Sequence, residues 1–97
     1  FYVIHPEPQW LTDSGCFILV KVLSDGDLAI GLFNLGEGQR GIPLQFWDLG
    51  LSTASGEKLA LYDCWEEKEL GEFKGQYHAV VPSHDCVILR GRIVPND

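Results

Sequence analysis

The 97-residue sequence has no methionine, only three cysteines, and seven basic residues against fourteen acidic ones. Each scarcity excludes something. The basic residues are scattered singly, at Lys21, Arg40, Lys58, Lys68, Lys74, Arg90 and Arg92. They form no stripe that could track a phosphate backbone, so nucleic-acid binding is not expected. The net charge of −7 favours solubility but names no partner. No apolar run approaches the ~20 residues of a membrane-spanning helix. No basic segment followed by an apolar stretch marks a secretory signal at the start. Cys16, Cys64 and Cys86 are odd in number and far apart, which fits neither a disulfide framework nor a CxxC zinc pattern. Cys64 and Cys86 fall in predicted strands, where a free thiol acts as a small buried hydrophobe. One disulfide with one free thiol is the alternative, but reduced thiols suit a bacterial cytoplasm. Without methionine, a chain that starts at Phe1 is expected to be either a processed product or a fragment of something longer, and the doubly apolar hairpin at 17–35 favours the fragment.

The hydrophobic share is 45%, with three Trp, three Tyr and five Phe, which points to an ordinary globular domain rather than disorder. A chain of this length forms one domain and buries about two-thirds of its unfolded surface. Its most informative stretch is 21–36, KVLSDGDLAIGLFNLG. Two apolar runs, 17–23 and 28–35, flank the polar turn Ser24-Asp25-Gly26-Asp27, a β-hairpin signal. Both runs are apolar at nearly every residue. A strand with one wet face should alternate. The hairpin is therefore expected to be covered on both sides, by its own partner sheet and by something else.

Strands are predicted at 16–23, 27–34, 42–47, 57–65, 71–74, 76–82 and 86–94. Residues 1–15 read as an irregular lead-in, with Trp10-Leu11 packing on the domain. Pro43 cannot donate a ladder hydrogen bond, so its strand should have a free edge. The glycine-rich 36–41 is followed by no helix and no GK[ST], so a phosphate-binding reading is weak. Turn signals recur every ~8–12 residues, as in an all-β sandwich or barrel.

Five stretches carry a resemblance. They are Leu-Ser-Asp-Gly-Asp-Leu-Ala-Ile-Gly-Leu-Phe-Asn (23–34), Asp-Leu-Gly-Leu (48–51), Tyr-Asp-Cys-Trp (62–65), Lys-Glu-Leu-Gly-Glu-Phe (68–73) and Val-Pro-Ser-His-Asp-Cys-Val-Ile-Leu-Arg (81–90). In this order and spacing they resemble the C-terminal β-sandwich domain of family 27 glycoside hydrolases, the α-galactosidase or melibiase family. The resemblance covers roughly 16–90. It implies an all-β fold, an antiparallel two-sheet β-sandwich with Greek-key-like topology and about seven or eight strands. It also implies an upstream (β/α)₈ barrel, roughly three times as long as this chain, that carries all the chemistry. In the family that barrel hydrolyses terminal α-galactosides, or N-acetylgalactosaminides in a sister group, by a retaining mechanism with two aspartates. Residues 1–15 would then be the linker from the barrel and 16–97 the sandwich. One departure is Asp85, which stands after His84 where the family often has Gly. Asp enters the left-handed region less readily than Gly, so the turn chemistry should differ.

No stretch makes a convincing catalytic, cofactor or metal site. Leu61-Tyr62-Asp63-Cys64 is similar to the family's nucleophile motif Lys-Tyr-Asp-x-Cys, but Leu61 replaces the Lys and the Cys comes one residue early. Asp63 reads instead as a structural acceptor beside a buried Trp65. Glu66, Glu67 and Glu69 read as a solvated charged turn with Lys68, and Asp25 and Asp27 as turn formers. His84 and Cys86 could share a face as two metal ligands, but no further ligands stand nearby. The aromatics Trp10, Trp47 and Tyr77 are the candidates for sugar or domain-interface contacts, and the interface carries the larger weight. Three roles remain. The favoured one is a non-catalytic domain bracing a barrel. The others are a carbohydrate-binding module and a free-standing domain that self-associates through its apolar face.

Overall fold

The computed structural model describes residues 1–4, 15–51 and 56–95. Its strands are β1 (Tyr2–Ile4), β2 (Cys16–Val22), β3 (Leu28–Asn34), β4 (Arg40–Gln45), β5 (Lys58–Asp63), β6 (Lys68–Phe73), β7 (Gln76–Val81) and β8 (Asp85–Val94). Six form one antiparallel sheet in the order β1-β2-β3-β8-β5-β6, and β4 pairs with β7 in a second. The two sheets face each other as the expected β-sandwich. The last strand sits between β3 and β5, the crossover that Greek-key connections produce.

Strand alternation builds the core. Ile18 and Val20 of β2, Leu28, Ile30 and Leu32 of β3, Leu59 and Leu61 of β5 and Leu89 of β8 are buried from the large sheet. Ile42 and Leu44 of β4, with Ala79 and Val81 of β7, meet them from the small one. Phe46, Leu49 and Leu51 extend this layer after β4. Pro43 lies in the two-stranded sheet, where both strands are edges, as its missing N–H requires.

Among the described residues one core position is polar. Asn34, at the end of β3, is 0% exposed. Its amide nitrogen donates to the carbonyls of Gly38 (2.9 Å) and Val81 (3.0 Å), and its Oδ1 accepts from the Gly36 N–H at 3.0 Å. The Cys16 thiol lies 3.8 Å from the same oxygen. One side chain thus joins the large sheet, the glycine-rich loop and the end of β7 in the small sheet. Around it Leu35 N–H donates to the Gly15 carbonyl at 3.0 Å and the Ser83 hydroxyl to the Gly36 carbonyl at 2.7 Å. The glycine-rich loop is therefore an internally bonded closure.

Several expectations change. The lead-in is not irregular throughout, because Tyr2–Ile4 add a strand to the edge of β2. Its Tyr2 hydroxyl donates to the Asp48 carbonyl at 3.1 Å, across to the layer that follows β4. Burial first and the Asp48 charge second raise the Tyr2 phenol above its ordinary range. Strand β4 stops at Gln45, and Phe46–Leu49 form a single 3-10 turn that carries Trp47 out of the sheet. Strand β6 begins at Lys68 rather than 71, and a register shift at Leu61/Tyr62 interrupts its pairing with β5. Gly71 at φ 114° accommodates the irregularity. Leu70 and Phe73, three residues apart, consequently both pack against the core. Cys64 and Trp65 lie in the β5–β6 turn, not in a strand, and both are exposed. Asp63 is a structural acceptor, but its donors are the backbone N–H groups of Trp65 (2.9 Å) and Glu66 (3.1 Å) in that turn. In the last turn it is His84, at φ 54°, that takes the left-handed conformation, while Asp85 already begins β8.

The Asn34 hub makes a specific prediction. Asn34→Ala should cost roughly 2–4 kcal/mol in urea unfolding, because buried carbonyls and an N–H lose their partner. Asn34→Asp should be pH-dependent. An ionised carboxylate would face two carbonyls, so its folded pKa would be raised. Stability should be higher below the ordinary aspartate pKa and fall as pH rises through the raised value. Equal midpoints at pH 4 and pH 7 would contradict the assignment.

Candidate functional site

The outward face of the large sheet carries the residues the core does not use. Register sets its rows. Val3, Leu19, Gly31 and Ile88 align across β1, β2, β3 and β8, and Phe17, Phe33 and Cys86 form the next row. The Phe17 and Phe33 rings stack with centroids 4.9 Å apart and planes 7° from parallel. Gly31 is buried on this outward face because the Phe33 ring lies over it: a Cβ built there would sit 2.7 Å from Phe33 Cε1 and 3.3 Å from Ile88 Cδ1. Leu19, Ala29, Gly31, Phe33 and Ile88, with Phe1 and Lys21, line a shallow apolar concavity of about 280 Å³. The hairpin is thus apolar on both sides of the sheet. Leu28, Ile30 and Leu32 face the core, and Ala29, Gly31 and Phe33 face out.

Toward β5 and β6 the same face turns polar. Tyr62, Glu69, Glu72, Arg90 and Arg92 surround a groove of about 460 Å³ that has Ala60 and Gly71 in its lining. Arg90 reaches back to the hairpin turn, where its Nε donates to Asp27 at 2.9 Å and its Nη2 to Asp25. The bond to Asp27 first, and the Asp25 charge next, raise this guanidinium above its ordinary range. Asp25 Oδ1 also accepts from the Asp27 N–H at 3.0 Å. The two aspartates shape the turn, as their residue types suggested, and in addition clasp β8. That second role lies 63 and 65 residues away in sequence, beyond any local signal.

The two described candidate aromatics sit in different settings. Trp47 stands 66% exposed on the 3-10 turn. Tyr77 packs at the core margin against Phe73, centroids 4.8 Å apart. Trp10 lies outside the described residues. The charged turn is solvated, with a Lys68–Glu66 pair at 2.9 Å between exposed side chains. His84 faces Glu37 at 3.4 Å on the surface, while Cys86 sits beside the outward Phe pair. Among the described residues no three His, Cys, Asp or Glu side chains converge to hold a metal ion. The sequence reading missed Asn34. The only signal for it was a polar residue closing an otherwise apolar alternation at the core-facing position.

The model of the alpha galactosidase C-terminal beta sandwich domain matches residues 13–90. The chain belongs to this family. A search of curated proteins gives no match. Among solved structures, alpha-galactosidase I from Mortierella vinacea superposes with a TM-score of 0.70 at 21% identity, over 79% of this chain and 20% of that one. The GH27 β-L-arabinopyranosidase from Geobacillus stearothermophilus gives 0.72 at 19% identity, over 80% and 17%. The α-galactosidase from Saccharomyces cerevisiae, solved with raffinose, gives 0.67 at 16%, over 81% and 28%. These similarities establish the melibiase-type sandwich fold. The chain accounts for less than a third of the length of each solved relative.

The packing at Gly31 is testable on this sandwich alone. Gly31→Ala should cost about 1–3 kcal/mol, because the new methyl group displaces the Phe33 ring from its stack. Combined with Phe33→Leu, the cost should be clearly less than the sum of the two single changes. Additive unfolding energies would show that the ring does not constrain this position.

Proposed function

We propose that this sandwich is a non-catalytic accessory domain of a family 27-type glycoside hydrolase, packed on an upstream (β/α)₈ barrel that performs the chemistry. The observation that carries the reading is the apolar half of the outward face, on a chain covering only 17–28% of the three solved relatives described above. Rings and aliphatic side chains set in rows on a sheet's outer surface are stabilised when another surface removes them from water. The polar half of the same face, with its Arg90 clasp, suits continued contact with solvent. The stretch 1–15 then leads in from the barrel, with Tyr2–Ile4 already paired to the sandwich edge, and 16–97 form the rest of the sandwich.

The parent's substrate, in this reading, is a terminal α-galactoside hydrolysed with retention. The sandwich itself does not choose the sugar. The same fold occurs in proteins named α-galactosidase and β-L-arabinopyranosidase, which favours a bracing rather than a specificity-setting role. The 97-residue chain should give no turnover of a chromogenic α-galactoside, whereas the longer protein should. Deleting 16–97 from the longer protein should lower its unfolding temperature. Turnover by the isolated chain, or an unchanged unfolding temperature after deletion, would refute the reading.

Trp47 supports a second reading, as a carbohydrate contact, because its ring is largely free for stacking. Calorimetric titration with galacto-oligosaccharides would then give binding that Trp47→Ala abolishes. Flat titrations would remove it.

A further inference from the structure

The concavity on the outward face has a shape that the general bracing role does not explain. Its floor is Ala29 and Gly31, the two smallest side chains of β3, and its walls are Leu19, Phe33 and Ile88. The Phe33 ring and Ile88 close over Gly31, and beside them the small Ala29 leaves a hollow rather than a flat sheet. We propose that this hollow is a socket that receives one large apolar side chain projected from the upstream domain of the same polypeptide. The proposal rests on the bracing reading and specifies where and how that contact is made.

Three observations select this occupant. The lining is almost wholly apolar, so a sugar or a charged segment would lose more hydration than it regained in contacts. The family is a C-terminal domain and the solved relatives are several times longer, so the additional chain lies before this domain. Phe1 itself lines the hollow, so that chain would arrive at its rim. Lys21, also on the rim, makes no ion pair among the described residues. It would complement a carboxylate placed beside the inserted side chain. A single apolar anchor in a preformed pocket is the arrangement that concentrates energy at domain and subunit interfaces.

Side-chain footprinting with a diffusible radical label, read by mass spectrometry, tests this in the 97-residue chain and in the longer protein. Leu19, Phe33 and Ile88 should be labelled several-fold less in the longer protein, with Trp47 and Val80 unchanged. Ala29→Leu, which raises the floor, should restore labelling of Ile88 in the longer protein. The near-ultraviolet circular dichroism of the short chain carrying the same change should stay as it was. Protection that moves to Trp47 and Val80 would overturn the socket and leave the bracing role standing. Protection at neither surface would overturn both. Protection of the socket in the short chain that grows with its concentration would assign the hollow to a second copy and likewise overturn the proposal.

Discussion

The buried amide of Asn34 is the interaction on which the sandwich closes. The two sheets share no strand at that end, and the chain crosses between them through a glycine-rich loop and a turn with a left-handed histidine. Loops of this kind carry backbone carbonyls and N–H groups that no ladder satisfies. Among the described residues, Asn34 is the one buried side chain that offers both donors and an acceptor. It satisfies carbonyls on the loop and on β7, and an N–H on the loop, at 2.9–3.0 Å. Removing it would leave those groups dry and unpaired, a larger loss than any one apolar contact nearby. No buried side-chain nitrogen or oxygen among the described residues lacks a partner, so the hub is complete.

With that end tied, the two faces of the large sheet are free to differ. Apart from Asn34 and Cys16 at one end, the buried inward residues of β2, β3, β5 and β8 are aliphatic, and they meet a layer of only two strands extended by Phe46, Leu49 and Leu51. The outward face divides along the strands. Aromatic and aliphatic rows cover β1, β2, β3 and one end of β8, and charged side chains with Tyr62 cover β5, β6 and the other end. Gly31 connects the two requirements. By lacking a side chain it lets the Phe33 ring and Ile88 close over it at the edge of the hollow. A surface with one apolar half and one polar half fits a domain that meets its neighbour along part of one sheet.

Much of this was legible in the residues. The double apolar run of the hairpin announced a strand with two uses, and the alternation of Ile42, Leu44 and Phe46 marked the opposing inner face. The order of five motifs led to the family. What escaped had a physical reason each time. Strand β1 is three residues long and is held by pairing with β2, which local pattern cannot reveal. The irregularity opposite Leu61 broke the period of β6, so Leu70 and Phe73 did not look like one strand. Cys64 and Trp65 are apolar by type but sit in a turn governed by Asp63. The left-handed position belongs to His84 rather than Asp85, because the turn closes one residue earlier than the motif suggested. The Arg90 clasp and the Asn34 hub depend on partners distant in sequence.

The central claim is that the apolar half of the large sheet is a contact surface for an upstream catalytic domain. Calorimetric titration of the 97-residue chain into that domain, produced separately, tests it most directly. The account predicts one-to-one binding with a negative heat-capacity change, the mark of apolar surface leaving water. Absence of binding, or binding with a heat-capacity change near zero that weakens steeply with salt, would contradict it.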